Sequence, residues 1–151
     1  MFDPGKIWWL SCQAYKKRLI VVAKLLKLLN FVLFKAILPY QAEIQKDIRL
    51  EHYGLGIVVH PNVTIGHRVR IFHHVTLAVQ SPVSSQDRLV IGDDCLIGAG
   101  AIVITKLFSG MTLGQGVQVG AGAVVTQSVE AHENVVGVPA HATRSRASAA
   151  S

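Results

Sequence analysis

With 151 residues, the chain is sized for one domain with an appendage, and half of its residues are hydrophobic, enough to fill a sizeable core. Its formal charge of +6 comes from the first 38 residues, where Lys6, Lys16, Lys17, Arg18, Lys24, Lys27 and Lys35 are set against Asp3 alone. A nucleic-acid binder would spread its cations over a reading surface, so the charge argues against that class. The two cysteines, Cys12 and Cys95, do not suggest a disulfide scaffold and point to a reducing, cytoplasmic setting.

Taken in chain order, residues 1–40 form a basic, apolar helical segment. Residues 7–38 contain no Gly or Pro, and Pro39 ends the run. The apolar stretch from Leu19 to Leu38 begins late and lacks a following small-residue cleavage site, which argues against a secretory leader. Lys24, Lys27, Asn30 and Lys35 interrupt it, and a central Lys costs about 2.5–3.5 kcal/mol in a membrane span. At 100° per residue Lys17, Lys24 and Lys35 share one line, which leaves a broad apolar face beside a basic stripe. Two readings follow: a helix lying on an anionic membrane surface with Trp8 and Trp9 near the interface, or a helix packed on a neighbouring subunit.

Residues 41–142 form the second domain, in which a repeat of period six runs from Ile57 to Ala140, and 143–151 read as a flexible tail. Representative units are Val63-Thr64-Ile65-Gly66-His67-Arg68, Leu89-Val90-Ile91-Gly92-Asp93-Asp94 and Val117-Gln118-Val119-Gly120-Ala121-Gly122. Positions one and three are aliphatic, position two varies, and position four is usually Gly. Each unit is therefore a short strand with one buried face, followed by a corner. Three units make one triangular coil, and stacked coils make a parallel β-helix. A β-sandwich would instead space its strands irregularly, about 8–12 residues apart. Two insertions break the phase: a polar loop between Leu77 and Leu89, and Leu107-Phe108-Ser109-Gly110. Cys95 occupies position one of its unit and reads as core.

Histidines cluster before the long loop at 52, 60, 67, 73 and 74. His60 and His67 fall at corners and read as solvent residues. His52 lies in Glu51-His52-Tyr53-Gly54-Leu55-Gly56-Ile57-Val58-Val59, where glycines and polar residues interrupt the apolar pattern.

That segment, with Val75-Thr76-Leu77, Ile97-Gly98-Ala99-Gly100-Ala101, Gly120-Ala121-Gly122-Ala123-Val124-Val125 and Gly137-Val138-Pro139-Ala140, resembles the serine acetyltransferase branch of the hexapeptide acyltransferases. The resemblance implies a left-handed β-helix, a homotrimer, and acetyl transfer from acetyl-CoA to a hydroxyl. It implies His52 as general base, with Glu51, Asp47 or Glu43 supporting it. It further implies His73, His74 and Arg88 on the acceptor side, and Gly98, Ala99, Gly100, Ala101, Gly120 and Ala121 along the pantetheine arm. No metal is expected, because the closely spaced zinc ligands of the gamma-class carbonic anhydrases, which share the fold, are not reproduced. Asp87-Arg88 is followed by Leu89, where the family carries a loop His that holds the serine carboxylate. The C-terminal Ala-Ser-Ala-Ala-Ser lacks the family's terminal Ile, and the family's large N-terminal helical domain is not seen. The resemblance implies L-serine or a similar small alcohol as the acceptor, and these departures count against serine itself. The alternatives are a sugar or exopolysaccharide precursor at the inner membrane face, or a non-catalytic β-helix scaffold.

Overall fold

The computed structural model describes residues 2–143; the expected tail, apart from Thr143, lies outside the described residues. Two helices come first, α1 (Pro4–Lys16) and α2 (Ile20–Phe34). The single helical run expected over 7–38 is therefore a hairpin. Its break falls at Lys17–Leu19, where Arg18 takes φ 61°. No Gly or Pro marks that turn, so composition gave no sign of it. At the start of α1 the Asp3 carboxylate accepts from the Gly5 and Lys6 amides, a side-chain cap. Trp8, expected near a membrane interface, is instead fully buried and donates its indole N–H to the Pro39 carbonyl (2.9 Å). Apolar area outweighs the charge pattern there, because α1 covers the open end of the first coil.

Thirteen short strands follow: β1 (Arg49–Leu50), β2 (Val58–Val59), β3 (Val63–Ile65), β4 (Arg70–Ile71), β5 (Thr76–Ala78), β6 (Leu89–Ile91), β7 (Leu96–Ile97), β8 (Ile102–Ile104), β9 (Met111–Leu113), β10 (Gln118–Val119), β11 (Val124–Val125), β12 (Asn134–Val136) and β13 (His141–Ala142). They form three walls: β1-β4-β7-β10-β12-β13, β11-β8-β5-β2, and β3-β6-β9. All pairings are parallel except β12 with β13. The chain reverses after Gly137 and closes the far end.

Register exposes the insertions. Val58 pairs with Thr76, eighteen residues on, which is three units. Leu96 pairs with Gln118, twenty-two residues on, which accommodates the four residues 107–110. Arg49 pairs with Arg70, twenty-one residues on. Three extra residues therefore sit in the first coil, and they are taken up where the 3-10 turn Glu51–Gly54 carries His52. The inward residues fill the prism: Val63, Ile65, Ile71, Leu89, Ile97, Val103 and Leu113 are essentially inaccessible to solvent. So are the position-one residues Val69, Val75, Cys95 and Val117.

Candidate active site

His52 and Tyr53 stand in the left-handed region at φ 52° and 58°, an arrangement that costs roughly 1–2 kcal/mol for each non-glycine residue. Neighbouring bonds hold the turn. The Leu55 amide donates to the His52 carbonyl (3.3 Å), and the His74 amide donates to the Leu55 carbonyl (2.8 Å). Tyr53 stacks on Phe34 of α2, with centroids 6.1 Å apart and planes 5° apart. Glu51 accepts from Arg70 Nε at 2.8 Å.

The turn brings the His52 ring against the next coil. Its centroid is 4.9 Å from that of His73 at a near-perpendicular angle, and 5.9 Å from that of Phe72. His74 follows at 5.4 Å from His73. His73 Nδ1 is buried without a hydrogen-bond partner. Three imidazoles thus form a row at one corner of the prism. Among the described residues no group of three or more His, Cys, Asp or Glu is arranged to hold a metal ion.

Phe72 also lines a groove of about 510 Å³ along the first wall, with Gly98, Ala99, Gly120 and Ala121. Four of the six residues expected along the cofactor arm therefore meet in one groove adjoining His52. The other two lie outside its lining: the Gly100 amide donates to the His73 carbonyl (3.0 Å), and Ala101 is buried in the prism. At Gly98 a Cβ would stand 2.6 Å from the Ala121 nitrogen, so stacked corners require glycine there whatever else the groove does. A second hollow, of about 620 Å³, lies on the α1 side of His52 and is lined in part by Lys6, Arg49, Glu51 and Tyr53.

The carboxylates are engaged elsewhere. Asp47 Oδ2 is 3.2 Å from His67 Nδ1, and Glu51 is bound to Arg70. Glu43 Oε2 accepts from the Thr64 hydroxyl (3.3 Å). Arg88 belongs to a different wall from His52. It donates to Thr64 Oγ1 (2.8 Å) and the Val63 carbonyl (3.1 Å), with Glu43 at 3.9 Å. The loop before it is pinned: buried Asn62 donates to the carbonyls of Pro82, Ser85 and Asp87 at 3.2–3.4 Å. Burial raises both thiols, Cys12 to about 12, so neither sulfur is a ready thiolate. Desolvation lowers the pKa of His60, whose Nδ1 accepts from the Asn62 amide.

Sequence reasoning missed Arg70 and Phe72. Phe72 left a trace, because it occupies position four of its unit, where Gly is usual. Arg70 left none, because its contact with Glu51 spans 19 residues of chain.

Comparison with known proteins agrees with this fold. The model of the "hexapeptide repeat of succinyl-transferase" family matches residues 88–127. A serine acetyltransferase of Staphylococcus epidermidis is 33% identical over 127 residues, covering 84% of this chain and 57% of its own length. The Brucella abortus serine acetyltransferase in complex with coenzyme A superposes at a TM-score of 0.80 with 28% identity, over 90% of this chain and 52% of that one. Soybean serine acetyltransferase complexed with serine gives 0.79 with 31% identity, over 91% and 54%. This chain belongs to the hexapeptide-repeat acyltransferase family, in its serine acetyltransferase-like branch. Superposition at these scores requires a common coil hand, so the left-handed winding implied by the resemblance holds. The chain spans a little over half the length of the relatives it matches.

Proposed function

We propose that the chain is an acetyl-CoA-dependent O-acetyltransferase acting on a small alcohol, L-serine or a similar acceptor. The observation that carries this reading is His52, held in a strained turn where the imidazole row meets the glycine-alanine groove. The similarity to serine acetyltransferases with coenzyme A or serine bound supports it.

In this scheme the pantetheine arm lies in the groove of Gly98, Ala99, Gly120 and Ala121, with its thioester toward Phe72 and His52. The acceptor oxygen attacks the thioester carbonyl while His52, the catalytic base, takes the hydroxyl proton. The carbon–sulfur bond then breaks, and the imidazolium returns the proton to the sulfur. The products are the O-acetyl ester and free CoA. Glu51, tied to Arg70, fixes the backbone beside His52, while Asp47 is committed to His67. His73 and His74 face the acceptor oxygen from the next coil. Arg88 reaches an acceptor only if it leaves Thr64 or if it serves a neighbouring protomer.

The assembly we propose is a homotrimer. On one wall the outward rungs run Ile37, Val58, Thr76 and Ile102, and the three apolar ones are each about 40% accessible (41%, 38% and 38%), an arrangement suited to burial against a second prism. We place the protein in the cytoplasm with the N-terminal hairpin at the inner membrane face. No helix among the described residues is long and apolar enough to cross a membrane.

A thermal-shift titration with CoA, followed by an acceptor screen that records thiol release from acetyl-CoA, tests the reading. We expect stabilisation by CoA and transfer to L-serine or a related small alcohol. Transfer only to a sugar would keep the chemistry and move the acceptor. No response to CoA would leave a non-catalytic β-helix scaffold.

A further inference from the structure

We infer that α2 is a docking surface for an anionic phospholipid bilayer and lies flat in its headgroup region. This deepens the membrane placement proposed above and is independent of the acetyl-transfer reading. Only Ala23 and Asn30 of α2 are buried, and the Asn30 amide donates to the Pro4 carbonyl (3.3 Å), which fixes the face turned toward α1. At 100° per residue, Val21, Leu25, Leu28 and Val32 project from the opposite face. All four are exposed, Val21 at 72% and Leu25 at 60%. Leu19, Ile20, Val22, Phe31 and Leu33 widen the surface. It is an apolar face turned toward solvent, with no counterpart in this chain.

The charges around it select the occupant. No Asp or Glu occurs from residue 4 to residue 42, while seven Lys and Arg do. Among the described residues every ion pair lies in the β-helix, so the hairpin cations have no carboxylate partner. Lys24 and Lys35 run along one edge of the apolar face, and Lys16, Lys17 and Arg18 gather at its start. Beside them is a hollow of about 320 Å³ lined by Lys24, Lys27, Leu28, Phe31, Ala36 and Ile37. Ammonium groups over an apolar floor match a phosphate headgroup above its acyl chains. A second copy is a poorer fit, because a self-complementary contact would bring two cationic sets together with nothing to neutralise them. Spanning is excluded by length: the 15 residues of α2 extend about 22 Å against a hydrocarbon thickness of about 30 Å.

The test is co-sedimentation of the full chain with vesicles of phosphatidylglycerol mixed into phosphatidylcholine, and with phosphatidylcholine alone. Binding is expected only to the mixed vesicles and is expected to weaken with added salt. The double variant Lys17→Gln/Lys24→Gln should lose at least tenfold in partitioning, and Leu25→Glu/Val32→Glu should abolish it. All four positions are exposed, and unchanged far-ultraviolet circular dichroism confirms the fold. Equal binding to both vesicle types, no binding to either, or full binding by Leu25→Glu/Val32→Glu would overturn the inference. If that last variant instead breaks up an oligomer of a wild type that ignores vesicles, the face belongs to a second copy and the inference fails. Failure here leaves the acetyl-transfer proposal standing, because the groove and His52 lie outside the hairpin.

Discussion

Gly56 shows how tightly the imidazole row is set. Its φ of 69° would strain any side chain, and a Cβ there would collide with His74 Nδ1. Gly56→Ala should therefore displace His74 as well as strain the turn, lowering stability by about 1–3 kcal/mol. Thermal unfolding checks the stability, and thiol release should fall further than the stability loss explains. At this scale the sequence was partly legible. His52 stood out because polar residues and glycines broke the repeat around it, whereas Phe72, in a position where Gly is usual, was missed. The pairings of Asp47 with His67 and of Glu51 with Arg70 did not stand out. They join residues about one coil apart, and three extra residues in the first coil shift the alignment that would have located them.

Corners carry the polar contacts between coils. Arg68 donates to both oxygens of Asp94 at 2.6 and 3.1 Å, and Gln115 adds a third bond at 3.4 Å. The Arg68 hydrogen bonds hold the Asp94 carboxyl below its ordinary 3.8. A carboxylate lowered in the folded state stabilises above the unfolded value, and that contribution is lost as pH falls through the folded one. The Tm difference between wild type and Asp94→Asn should thus be present at neutral pH, begin to shrink only near the ordinary carboxyl value of about 4, and vanish once pH has fallen below the lowered folded value. Both side chains are solvent-exposed, so the difference should be small and shrink with salt. A difference that grew on acidification would contradict the pairing. The hairpin was the least legible element. Its turn at Lys17–Leu19 uses no Gly or Pro, and tertiary packing, of α1 against Pro39 through Trp8 and of α2 on α1 through Asn30, decides which face is buried.

Across the molecule, the period of six determined nearly all of the prism, because each inward aliphatic stacks on its equivalents in neighbouring coils and a slip of one residue would turn every strand inside out. The same regularity says little about chemistry. The geometry proposed for catalysis gathers at the three-residue insertion in the first coil and at the groove beside it. The exposed apolar rungs and the bare face of α2 are likewise properties of the whole surface, since outward positions of the repeat are free to vary. The central claim is that His52 removes the acceptor proton. It is tested most directly by acetyl-CoA-dependent thiol release, with the best acceptor from the screen, in wild type and His52→Gln. The variant should lose roughly 10²–10⁴-fold in kcat with the CoA thermal shift retained. A His52→Gln protein that turns over at the wild-type rate would contradict it.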